Sequence, residues 1–544
     1  GSLDNYYRTY KGYNHTITAT AKKQFGDFST RLMVGTMWED FETQQFAIYG
    51  TNLIDSTGKD SSNTAVNTRR RLLRNYNGLP NLNIFRELAY FGEASIGYKN
   101  LAFLTYSHRF EKASPIPIKN NNYNYPGASL SLIMSDIFPG IKSGDILNYA
   151  KLRASLAQTA RLNDPYSNQS FFVNNFSSTT LPVTYTYNYT NANPNLQPEQ
   201  QKTYEIGTEL RFLKNAISLD VSYYNTYCYR QIAQLFRASY ATGFILNTQN
   251  AASLRNQGLE ITLNATPIKQ NEFNWNITFN FNHMWSKVLT LPSSIDVLKD
   301  FYNSDTYISN VRAGLVRGYS TGTLTGSKYQ RNNAGQILID PNTGVPLTSG
   351  SGTNFVIADR TPKFTLGTLN NLSYKNWNLS FLWDLKVGGD IYNGTDQLLT
   401  NLGKSARTSN RSTPIVVKGV INDAYANTAT PTVNTLAIVP KYLTSYYTSL
   451  PDEEYVQKNV NWLRLRDVTL SYTLAQNAIR KLKVINSLSF FVTGTDLVLI
   501  TNYYGVDPAV NANNPGTSGV GGFGMDMGSV ATPLGLNFGL RVRF

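Results

Sequence analysis

Imidazole is the side chain that most readily serves as base, proton shuttle or metal ligand at neutral pH, and the chain has three histidines. His15, His108 and His283 lie far apart and share no ligand spacing such as HExxH, so strand-end or interior positions account for them as well as chemistry does. Cys228 is the only cysteine, which excludes a disulfide or a CxxC site within the chain. Gly519, Gly521 and Gly524 spell GxGxxG, but the polar run Asn513-Asn514-Pro515-Gly516-Thr517-Ser518 precedes them and no helical pattern follows. A dinucleotide site needs a strand before and a helix after. Asp340-Pro341-Asn342-Thr343-Gly344 lacks the twelve-residue spacing and closing Glu of a calcium loop and reads as a turn. Asn-x-Ser/Thr triplets such as Asn188-Tyr189-Thr190 follow from an Asn- and Thr-rich composition. No catalytic residue, metal or cofactor is expected, and the protein is not expected to be an enzyme.

Binding chemistry has better support. Tyr166, Phe171, Phe172, Tyr185, Tyr187 and Tyr189 are interleaved with Asn and Thr, and Tyr229, Phe236, Tyr240 and Phe244 populate the following loop. Aromatic rings beside amides offer apolar area and hydrogen bonds together, which suits sugars and extended peptides. Packing of the loops on one another or on a partner explains the same rings equally well.

The elements that carry these residues announce themselves by period. Leu534, Leu536, Phe538, Leu540, Val542 and Phe544 alternate with Gly535, Asn537, Gly539, Arg541 and Arg543. Phe273 to Asn282, Trp377 to Lys386, Tyr204 to Phe212 and Ile217 to Tyr224 repeat the pattern. Each run has about the 9 to 11 residues that a tilted strand needs to cross a membrane. One face is Trp, Phe, Tyr and Leu; the other is Asn, Ser, Thr and charge. Arg153, Glu205, Glu209, Arg211, Asp220 and Asp384 fall on the polar face, as candidates for contacts inside a wet lumen or simply for hydrating it. Between Asn461 and Leu474 the phase slips, which predicts a β-bulge.

Composition agrees. Charged residues are 15% and aromatics 13%, whereas soluble domains carry about 25% charge. No apolar run approaches the roughly 18 to 20 residues of a spanning helix. A closed β-barrel is the other structure that satisfies every backbone group in hydrocarbon, and its alternation explains a mean hydropathy of −0.30. Polar turns at Gly26-Asp27, Lys99-Asn100, Lys214-Asn215 and Lys375-Asn376 alternate with long loops near 40–85, 160–202, 228–257, 285–362, 387–460 and 500–533. That asymmetry is expected of a transmembrane antiparallel β-barrel with short periplasmic turns and long extracellular loops. The count is about fifteen strands, against the even number of bacterial barrels, and Gly1 begins no signal peptide. An amino-terminal portion is therefore expected upstream. The net charge of +14 suits a rim facing lipopolysaccharide and outer-membrane lipid. No nucleic acid is expected, because no recognition motif accompanies the charge.

Several stretches resemble one family. Asn193-Pro194-Asn195-Leu196-Gln197-Pro198-Glu199 followed by Tyr204-Glu205-Ile206-Gly207 resembles a segment of TonB-dependent receptors. Leu147 to Ser155, Leu254 to Glu260, Val387 to Thr395 and Trp462 to Tyr472 resemble its SusC/RagA branch, although Leu156-Ala157 replaces a closing Tyr-Gly. Asp496-Leu497 through Tyr504-Gly505-Val506-Asp507-Pro508 is similar to the branch's closing hairpin.

The resemblance implies that 1–544 is the carboxy-terminal portion of a plugged 22-stranded barrel, with the plug and first strands upstream. It implies TonB-dependent import of an oligosaccharide or oligopeptide through the outer membrane, with TonB acting on the missing amino-terminal part and a SusD-like surface lipoprotein as lid. The loop aromatics become candidate contacts to substrate or lid, and Phe544 a carboxy-terminal barrel-insertion signal. Two rivals remain: a barrel that only docks structural or secretion components, and a barrel lipase or protease, which the scarcity of histidine disfavours.

Overall fold

The computed structural model describes residues 2–51, 69–72, 82–142, 146–163, 165–166, 172–175, 184–187, 190–237, 246–292, 311–349, 355–443, 445–479, 484–510 and 522–544. Fifteen long strands dominate it: β1 (Ser2–Phe25), β2 (Phe28–Thr51), β3 (Leu82–Tyr98), β4 (Ala102–Ala113), β5 (Tyr123–Ile133), β6 (Leu147–Arg161), β7 (Glu199–Phe212) and β8 (Ile217–Arg237). They continue as β9 (Leu246–Lys269), β10 (Phe273–Thr290), β11 (Phe364–Tyr374), β12 (Trp377–Val387), β13 (Trp462–Thr473), β14 (Ser487–Thr501) and β15 (Gly535–Arg543). Each pairs antiparallel with its neighbours in sequence, in one up-and-down sheet. Among the described residues β1 and β15 are each paired with a long strand on one side only.

The alternation has the consequence expected of it. Leu536, Phe538 and Leu540 on β15 are 61%, 79% and 59% exposed, so the apolar row is not covered by a second sheet. A soluble sandwich would bury it; a membrane wall offers it to lipid. The turns also match. Lys99 and Asn100, then Lys214 and Asn215, take positive φ, the left-handed conformation that matches the twist of a tight hairpin.

Strands outrun the hydrocarbon. β1 and β2 are each 24 residues long, and β8 and β9 extend to Arg237 and back from Leu246. The described residues of the expected loops 40–85 and 228–257 are therefore strand, because pairing continues after the apolar pattern stops. The slip in β13 is a bulge: Leu465 pairs with Trp383 and Val498, Asp467 with Leu382 and Thr495, and Arg466 is skipped on both sides. The extra residue puts Arg464, Arg466 and Asp467 all on the wet face.

Above the wall, three outer connections fold together. Arg312–Ala313, Thr323–Gly326 and Phe355–Asp359 form one small sheet, and Ile391–Asn393, Val456–Gln457 and Met525–Asp526 another. Helix α1 (Gly394–Asn401) starts at Asn393, whose side chain accepts the Asp396 amide at 2.8 Å, the usual N-cap bond. Val311, Ala313, Leu324, Ile357, Tyr392, Tyr455 and Met525 are almost fully buried together. The long outer loops thus own a hydrophobic core of their own.

Candidate functional site

The inner wall carries a lattice of ion pairs. Arg153 on β6 donates to both oxygens of Asp220 on β8, at 2.6 and 2.7 Å, and also contacts Ser222. It lies over Gly207 of the intervening β7, where a Cβ would come within 2.7 Å of its Nε. Glu205 stands 3.8 Å from the same guanidinium. Glu209 pairs with Arg211 at 2.7 Å, and Arg211 lies over the Tyr149 ring. Asp384 accepts from Arg466 at 2.9 Å. Of the six charged residues predicted for the inner face, Arg153 is brought together with Asp220 and Glu205, and Arg211 with Glu209, while Asp384 joins a different chain of charges.

That chain climbs to the outer layer. Arg466 also reaches Asp496 at 3.4 Å; Arg464 reaches Asp496 at 3.3 Å and Asp507 at 2.5 Å. The Arg464 and Asp507 side chains are only 2% and 6% exposed. Burial works to raise the Asp507 carboxyl, but bonds from the Thr532 hydroxyl and the Ala509 and Thr532 amides, with Arg464 nearby, outweigh it and hold the group below the usual carboxylate range.

Two buried knots hold the outer layer together. The Arg360 guanidinium, 1% exposed, donates to the carbonyls of Gly322 and Phe523 and stacks on the Phe523 ring. Burial lowers its pKa to about 10, so it stays protonated at neutral pH. The Asp452 carboxylate, 4% exposed, accepts from the Ser327 amide and hydroxyl and from Gln397.

The outer layer also holds a cavity of about 840 Å3, within the usual range of about 300 to 1,000 Å3 for ligand pockets. Arg407 sits on one wall, paired with Asp396 at 2.8 Å and Glu454 at 3.1 Å and stacked on Tyr455. Tyr504 stands at the edge, 92% exposed, and Gln457 accepts its amide. A second cavity of about 540 Å3 shares Glu454, Val456 and Lys458 as lining. Rings, hydroxyls, amides and neutralised charges can bind and orient a polar oligomer.

The predicted aromatics lie elsewhere. Tyr229 stands on the outward row of β8, stacked on Tyr227 with Lys202 and Arg230 over its ring. Tyr166 is half-buried with φ of +64°. In a hairpin of Phe172–Asn175 with Thr184–Tyr187, Phe172 pairs with Tyr187 and Asn174 with Tyr185. Phe171, Tyr189 and Tyr240 lie outside the described residues. Phe544 is exposed just beyond β15.

The remaining residues weighed for chemistry are spread out. His15 stacks on Trp38, His108 on Phe110, and His283 contacts the Lys363 carbonyl. Among the described residues no group of three His, Cys, Asp or Glu is set to hold a metal. Asp340 accepts the amides of Asn342 and Thr343, the bonds of a turn. Sequence reasoning passed over Asp396, Arg407, Glu454 and Tyr504. The available signal was the pair Gly388-Gly389 followed by Asp390, which reverses the chain just before α1.

Comparison with known proteins places this geometry. Residues 1–393 match the family model described as TonB dependent receptor-like, beta-barrel. TonB-dependent receptor P26 of Formosa agariphila is 26% identical over 99% of this chain, which covers 52% of that relative. TonB-dependent receptor SusC of Bacteroides thetaiotaomicron is 24% identical over 78% of the chain and 41% of its own length. The chain thus spans about half the length of the curated relatives it matches. The structure of the RagAB peptide transporter superposes with a TM-score of 0.72 at 16% identity, covering 99% of this chain and 56% of that one; the likeness is one of fold.

Proposed function

Because the chain belongs to the TonB dependent receptor-like β-barrel family, a family of outer-membrane proteins, we propose that it supplies the wall and outer mouth of a TonB-dependent importer for a bulky nutrient, an oligosaccharide or an oligopeptide. The observation that carries this is the outer cavity of about 840 Å3, built by the second and third outer connections, 387–460 and 500–533, over a charged inner wall. A docking scaffold needs no ligand-sized cavity at its mouth. The family is one of receptors and transporters, and the described side chains offer binding groups.

In this reading further strands complete the barrel, since an unpaired edge such as those of β1 and β15 costs several kcal/mol per backbone group in hydrocarbon. An upstream portion holds the plug and the TonB-contacting segment, and a SusD-like surface lipoprotein closes over the outer layer. The inner lattice around Arg153 and Arg466 gives the plug a charged surface to seat on.

The test is uptake. A strain carrying the full-length receptor with Arg407→Ala and Tyr504→Ala should bind and import its oligomer at least about tenfold less well, a difference of about 1.4 kcal/mol, with the folded barrel at normal abundance. Isolation of the native complex should yield a lipoprotein and a copurified glycan or peptide. A complex holding secretion or adhesion components, with no uptake phenotype on deletion, overturns import in favour of docking.

A further inference from the structure

The outward row of β3 from Arg86 to Tyr98 is filled by large side chains except in one place. Gly92 and Ala94 are successive outward residues of β3; their partners are Val34 and Leu32 on β2 and His108 and Tyr106 on β4. Together they leave a trough of about 360 Å3 on the lipid side. One wall is aliphatic and the other is a row of rings, with His108 stacked on Phe110 at 4.4 Å. Crowding does not impose the gap: a Cβ on Gly92 would come no closer than 3.6 Å to the Met33 carbonyl and 3.9 Å to Val34.

Size selects what fills it. The walls stand on strands two apart, about 10 Å between backbones before side chains are counted. A helix with its side chains is itself about 10 to 12 Å wide and does not enter; a single hydrocarbon chain does. The row continues outward through Tyr90, whose β2 partner is only Thr36, to Leu88 and Arg86. From Gly92 to Arg86 is about 20 Å at the usual rise, and the direction is away from the tight turns. At that end Arg86 is exposed and shares its charge with Asp40 at 3.1 Å. Lys112, across from Leu88, is exposed and makes no ion pair among the described residues.

We propose that this trough and its two cations seat one phosphorylated lipid of the outer leaflet, a lipopolysaccharide. One acyl chain lies over Gly92 and Ala94, and a phosphate meets Lys112 and Arg86. The complementarity is of two kinds: a chain-wide apolar channel within the membrane, and, where its outer end reaches the headgroups, Lys112 without an ion pair among the described residues beside an Arg86 shared with Asp40. The site stands apart from the cavity proposed for cargo.

The experiment uses the full-length receptor purified from outer membranes in mild detergent, with retained lipid released by denaturation and quantified by mass spectrometry. Gly92→Phe fills the trough and Lys112→Glu reverses the free charge. Ala154→Phe, on the outward row of β6, controls for added bulk. Folding is read from the heat-dependent mobility of each barrel in detergent gels. Wild type and Ala154→Phe should retain about one lipid A per receptor, and Gly92→Phe and Lys112→Glu at least about fivefold less. Unchanged retention in either variant, equal loss in Ala154→Phe, or retained lipid that is phospholipid alone overturns the proposal.

Discussion

Arg153 grips Asp220 two strands away because Gly207 leaves its path across β7 open. The pair alone explains why glycine stands in the middle of a strand, where its backbone freedom is a cost. Gly207→Val should expel the guanidinium and forfeit a charged bidentate bond, about 1 to 3 kcal/mol. Asp220→Asn should lose less, since it keeps one acceptor. Urea midpoints of the folded barrel, followed by tryptophan fluorescence, rank the two variants; equal stability of wild type and Gly207→Val contradicts the arrangement.

Arg464→Leu should be more severe. It leaves Asp507 and Asp496 facing a lost partner, and removing one member of a buried pair costs about 3 to 5 kcal/mol. The loss should concentrate in the last outer connection, 502–534, because β12 to β14 keep their backbone ladder. Hydrogen exchange should show 502–510 deprotected with 487–501 unchanged. The double variant Arg464→Leu with Asp507→Leu should recover part of the loss.

Asp507 also makes the layer acid-sensitive. Its folded carboxyl lies below the usual range, so the folded state holds the proton less readily than the unfolded chain. The stabilisation is complete at neutral pH, above the ordinary value of about 3.9, and disappears as pH falls below it through the folded value. Limited pepsin digestion should cut 502–534 progressively faster from about pH 4 downward, leaving the wall intact. Asp507→Asn should be cut readily across the whole interval.

Gly389 is a backbone requirement. Its φ is +87°, and a Cβ there would stand 2.6 Å from the Arg360 carbonyl oxygen. Gly389→Ala should strain the junction of all three outer connections and cost roughly 1 to 3 kcal/mol, seen as faster exchange at 355–360 and 522–526. Gly335→Ala is the comparison: it has φ of +81° but nothing within 4 Å of a Cβ, so its effect should stay local.

The wall was legible because its signal is local. A period of two assigns each residue of β15 or β12 to a face with no knowledge of its neighbours, and the slip through Leu463, Leu465 and Val468 marked the bulge for the same reason. Strand length was less legible, since β1, β2, β8 and β9 go on pairing where no apolar row is needed. Beyond the pair Gly388-Gly389, the outer layer was not legible. Its contacts join Ser327 to Asp452 and Arg360 to Phe523, 125 and 163 residues apart, and such pairings leave no periodic trace. Clustered rings stand out in the sequence between 166 and 189, while the cavity is lined by short runs from distant segments, such as 405–407, 454–458 and 504–506.

The outer connections, having an interior of their own, need not borrow rigidity from whatever they hold. Side chains facing the opening can then be exchanged without unpicking Tyr392, Leu324 or Met525 beneath them, much as a frame accepts new panes. A lineage of such receptors can vary at the rim by drift while its architecture stays in place.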